Sequence, residues 1–120
     1  MASEKVKPII LNDEDNHCEY TLEFTRESIR FAESRGFKLE EVGDFLMLKL
    51  PELWFYAFRA HHKRVARAET DRLLDELCEG GIPDGLIERL GALYAVPYET
   101  LIGGDDEGGA EKNARVTATF

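Results

Sequence analysis

At 120 residues the chain is one small domain, and a hydrophobic content of 43% is ordinary for a globular protein and too high for wholesale disorder. A formal net charge of −9 opposes nucleic-acid and anionic-membrane surfaces, whose phosphates attract Lys and Arg and repel carboxylates. There is no apolar run of about eighteen residues to span a bilayer, and two cysteines sixty residues apart, Cys18 and Cys78, make no disulfide framework.

The N-terminus, MASEKVKPIIL, carries no apolar stretch long enough for a signal peptide, and residues 1–7 are expected to be a flexible polar start. Pro8 to Leu11 and Cys18 to Phe24 read as two strands. The second alternates Cys18, Tyr20, Leu22 and Phe24 with Glu19, Thr21 and Glu23. The turn formers Asn12 to His17 join them into a hairpin. Thr25 is placed to cap a following helix, with Ile29, Phe31 and Ala32 on its apolar side and Gly36 as its stop. Leu39 to Leu50 predicts a short helix. A second helix is expected to open at Pro51, whose missing N–H suits a first turn, and to end near His62 or Lys63.

That second helix is the most informative segment. LPELWFYAFRAHH (50–62) holds the only tryptophan and places four aromatics in five positions, Trp54, Phe55, Tyr56 and Phe58. On a helix this apolar surface wraps most of the way round, as in a central core helix or one committed to another chain. His61 and His62 would cap its end, where cationic side chains suit the helix dipole.

Ala68 to Cys78 predicts an amphipathic helix with Leu73, Leu74, Leu77 and Cys78 on one face. The next is expected to begin at Ile82-Pro83-Asp84, carry Leu86, Ile87, Leu90, Leu93 and Tyr94, and break at Val96-Pro97 before a last turn or two to Ile102. Residues 103–120, polar and glycine-rich, read as a disordered acidic tail. The expected architecture is α+β, mostly α. An N-terminal β-hairpin packs on a compact bundle of four to six helices, all within one domain, 8–102.

No chemistry-bearing constellation stands out. The acidic run Asn12 to Asn16 lacks the glycine and bidentate Glu of a calcium loop. His17, Cys18, His61, His62 and Cys78 show no metal-ligand spacing, so no metal or cofactor is expected. Ser3, Ser28 and Ser34 have no elbow motif around them, and a hydrolase using Cys78 or the histidines has no distinctive surroundings. The chain therefore reads as non-enzymatic. LIERLGALYAVPYETLIGG (86–104) resembles the closing helices of repressor-type helix-turn-helix domains without a basic recognition helix before it. A small DNA-binding regulator using Leu86–Ile102 is the alternative reading.

A longer resemblance runs from Tyr20 to Ile102. It comprises YTLEFTRESIRFAESRGF, the stretch from Leu50 to Phe58 leading into Ala60-His61-His62, and Leu86-Ile87-Glu88-Arg89-Leu90 followed by Leu93-Tyr94 and Pro97 to Leu101. In these motifs the chain resembles the small tail-assembly chaperone-like proteins of phages and prophages of gram-positive hosts. The resemblance implies a non-enzymatic protein that acts in the bacterial cytoplasm and is absent from the mature virion. It implies binding to the tape-measure protein, and to tail-tube protein as a further candidate partner. Trp54, Phe55, Tyr56, Phe58, His61 and His62 are the candidate contact residues, though Trp54 and Phe58 read more readily as plain core, while Phe55 and Tyr56 fit either reading. Such a strip, or the hairpin edge, can also pair with a second copy, which leaves a homo-oligomer open.

Overall fold

The computed structural model describes residues 6–102. An antiparallel hairpin, β1 (Ile9–Asp13) and β2 (Cys18–Leu22), is followed by α1 (Arg26–Ser34), a 3-10 turn (Leu39–Glu41), α2 (Leu46–Phe58), α3 (Arg67–Leu77) and α4 (Leu86–Ile102). Ile9 stands opposite Leu22 and Asp13 opposite Cys18. The architecture is thus a two-stranded hairpin with four helices, α+β and mostly α. The tail reading falls on residues outside those described, as does most of the N-terminal start. Val6 packs against the core, and the Lys7 carbonyl accepts from Arg89 at 3.1 Å.

Local chemistry explains most element ends. β2 stops at Leu22, two residues earlier than the alternation predicts, and the Glu23 N–H just past it donates to the Ala57 carbonyl at 3.1 Å. Thr25 then opens α1 with a reciprocal box: its hydroxyl accepts from Ser28 N–H at 3.1 Å, and the Ser28 hydroxyl accepts from Thr25 N–H at 2.8 Å. Gly36, at φ +89°, ends the helix in the left-handed region.

Two prolines correct the predicted boundaries. α2 begins at Leu46, so Pro51 lies inside the helix and opens nothing. The carbonyl that Pro51 cannot serve belongs to Met47, a residue 91% exposed and therefore open to water, which lowers the penalty. The expected break at Val96-Pro97 is also absent, since α4 runs unbroken through Pro97. Leu86, Leu90, Leu93, Tyr94 and Pro97 recur at helical spacing and are all buried, so packing along one face holds the helix through the missing donor. Nor does α4 start at Ile82: Gly85 at φ +84° still turns the chain, and the helix follows it.

α2 is the hub. It packs against β2, α1, the 3-10 turn, α3 and α4, and its Leu53, Trp54 and Ala57 have no exposed surface. Among the described residues no helix is long and apolar enough to cross a membrane.

Candidate interaction surface

The expected aromatic strip is not formed at the surface. Trp54 is fully buried, Phe58 is 1% exposed and Tyr56 6%. The Trp54 indole N–H donates to the Thr70 carbonyl at 2.8 Å, tying α2 to α3 inside the core. Phe58 meets Trp54 and Tyr20 edge-on, with ring centroids 5.5 and 5.3 Å away. Tyr56 packs between Phe31 and Phe37. Only Phe55 is half-buried, with the Arg67 guanidinium 5.8 Å from its ring centre. The reason is topological: from Leu50 to Phe58 the helix is enclosed by β2, α1, α3 and α4, which take up its aromatic side chains.

Three of the exposed apolar residues cluster earlier, between Phe45 and Leu48. Phe45 is 56% exposed, Met47 91% and Leu48 61%, while Leu46 between them packs on the core. Phe45 occupies the N-cap position without a capping side chain, and the fully buried residues of α2 begin only at Leu50. The run Phe45-Leu46-Met47-Leu48 was the available signal. Four consecutive apolar residues cannot all face one core on a helix.

Acidic residues flank this knob in the sequence. Between Glu40 and Glu52 the chain carries Glu40, Glu41, Asp44 and Glu52 against one cation, Lys49. Lys49 is already committed, to Glu41 at 3.3 Å and Glu52 at 3.6 Å, and the Glu41 hydrogen bond leads in raising its pKa. Among the described residues neither Glu40 nor Asp44 pairs with a cation. An apolar knob between acidic flanks suits an apolar segment with basic flanks.

The two histidines leave the helix end rather than cap it by charge. His61 Nε2 lies 2.6 Å from the Glu23 carboxylate. The half-buried His62 ring accepts Thr21 N–H at its Nε2, 3.0 Å away, and stands edge-on to Tyr20. Burial, then the charge of His61, push the His62 pKa down. These contacts place His62 against β2 and His61 against Glu23 just past it, long-range pairings that the sequence could not announce.

A third feature is a shallow groove of about 210 Å³ between α1 and α4, lined by Arg26, Ile29, Arg30, Glu33, Tyr98 and neighbours. The Tyr98 hydroxyl donates to the Glu33 carboxylate within it. Metal and nucleophile readings gain no geometry. Among the described residues no group of three or more His, Cys, Asp and Glu side chains could hold a metal ion. Burial pushes the Cys78 thiol up, the opposite of what an activated nucleophile needs. Asp13 at the end of β1 is engaged by Asn16 at 2.9 Å and Arg72 at 2.8 Å.

The whole chain, residues 1–120, matches a family model described as a domain of unknown function (DUF5055). No curated protein and no solved structure matches it.

Proposed function

We propose that this chain, which belongs to the DUF5055 family, is a non-enzymatic binding protein: a tail-assembly chaperone-like factor that holds an apolar, helical client. The observation that carries the reading is the knob of Phe45, Met47 and Leu48, three large apolar side chains between 56% and 91% exposed and flanked in the sequence by acidic residues. Solvent-exposed apolar groups at one helix start are costly to keep unless something covers them. A net charge of −9 keeps a carrier of such a surface soluble while it waits for its client.

The client is the tape-measure protein, with the tail-tube protein as a second partner, and the action takes place in the host cytoplasm before the particle is finished. This follows from the motif resemblance between Tyr20 and Ile102, with the contact moved from the buried aromatic strip to Phe45, Met47 and Leu48. The DNA-binding alternative needs two helices meeting at Val96-Pro97, and that segment is one helix.

Co-expression with a tape-measure protein encoded in the same gene cluster tests the reading. The expected result is a soluble client that elutes with this chain. A client that precipitates regardless, or a cluster with no such gene, overturns it.

A further inference from the structure

The outer edge of β2, the side away from β1, is closed by the end of α2. Two alternate amides donate backwards there: that of Glu23, just past β2, to the Ala57 carbonyl at 3.1 Å, and that of Thr21, within β2, to the His62 ring at 3.0 Å. The first acceptor is an ordinary peptide carbonyl. The second is an imidazole nitrogen standing where a neighbouring strand would place a carbonyl. To accept there, Nε2 must offer its lone pair, so the ring is neutral with its proton on Nδ1. A protonated ring has donors on both nitrogens and meets Thr21 N–H with no acceptor at all.

We propose that His62 is a pH-sensitive clasp: neutral, it holds the outer edge of β2 against the end of α2; protonated, it lets go of Thr21 and opens that edge. The Ala57 half of the clasp has no titratable group, so the opening is local to Thr21 and leaves Glu23 held.

The charged surroundings set the direction. From β2, His62 faces the Tyr20 ring at 5.1 Å, while Glu23 is taken up by His61 at 2.6 Å. From its own segment, His61 lies 6.2 Å away ring to ring, and Lys63 and Arg64 line the same recess. These neighbours are basic, the Glu23 carboxylate is engaged by His61, and Glu69 and Asp13, close enough to act on Tyr20, are held by Arg72, so the pocket favours the neutral ring. The sign follows. A base that titrates lower when clasped contributes its full hold above the ordinary histidine value of about 6.5, and loses it as pH falls below that value.

Backbone amide exchange on the full chain, followed by NMR and corrected for intrinsic rates, tests the clasp alongside the ring titration of His62. The protection of Thr21 should fall by up to about tenfold per pH unit below about pH 6.5, while that of Glu23 stays level. Thr21 protection unchanged after the ring has protonated, a ring that stays neutral throughout the acid range, or equal loss at Thr21 and Glu23 would each overturn it. His62→Gln supplies a side-chain carbonyl that accepts at every pH, and it should abolish the pH dependence. If His62→Gln keeps that dependence, the His61–Glu23 pair is its source and the clasp is refuted.

Discussion

The Trp54 indole N–H donates to the Thr70 carbonyl at 2.8 Å, with both residues fully buried. This one bond fixes α2 on α3 and turns the chain's most conspicuous aromatic into a structural pin. Trp54→Phe keeps the ring and loses the donor, and should cost about 1–3 kcal/mol. Trp54→Ala also opens a cavity and should cost about 3–5 kcal/mol. Chemical denaturation of both variants measures this. A loss within about 0.5 kcal/mol for either, the range of a surface substitution, would remove Trp54 from the core.

The reverse pattern is expected at the knob. Met47→Glu and Leu48→Glu should leave the denaturation midpoint within about 0.5 kcal/mol of the parent, because neither side chain packs on the body. Each should weaken client binding by about 1–3 kcal/mol, a loss of roughly fivefold to 150-fold. Titration calorimetry with a soluble tape-measure fragment decides it. Equal binding by parent and variants would place the contact elsewhere.

Arg72 holds Asp13 at 2.8 Å, Glu69 at 2.6 Å and Glu76 at 2.7 Å, joining α3 to the end of β1 across 59 positions of sequence. The side chain of Asn16, then that of Arg72, hold the Asp13 carboxyl below its ordinary range. A depressed carboxylate stabilises the fold above its unfolded pKa of about 4, and that stability is lost as pH falls through the folded value. Melting curves across the acid range should therefore show the parent losing its advantage over Asp13→Asn below about pH 4. Parallel curves would show that Asp13 contributes nothing through its charge. This window lies well below that of His62, so the two transitions are separable.

Backbone effects give a fourth comparison. Thr25→Ala removes the cap of α1 and should cost about 1 kcal/mol. Gly36→Ala forces a side chain into φ +89° and should cost about 1–2 kcal/mol. Gly91 lies inside α4, with nothing within 4 Å of an added Cβ. Gly91→Ala should stabilise the protein by about 0.5–1 kcal/mol. Thermal melts of the three variants give the order directly, and a destabilised Gly91→Ala would contradict the open space beside it.

What the sequence alone determined is what acts over a few residues. The hairpin turn, the Thr25 cap, the Gly36 stop and the periodicity of α3 were legible because the groups that enforce them lie within one turn of each other. Even there, Pro51 and Pro97 misled, since a proline weighs one lost donor against packing that only the whole fold supplies. The tertiary structure decided which apolar helix sits in the middle. Aromatic density at Trp54 to Phe58 is the same in sequence for a core helix and for a docking strip. The choice rests on α1, α3, α4 and β2 closing around it and leaving Phe45, Met47 and Leu48 outside. The pairings that define the candidate sites, His62 with Thr21 and Arg72 with Asp13, span 41 and 59 positions. No local propensity encodes such distances: the partners meet only because burial of the shared core brings their elements together.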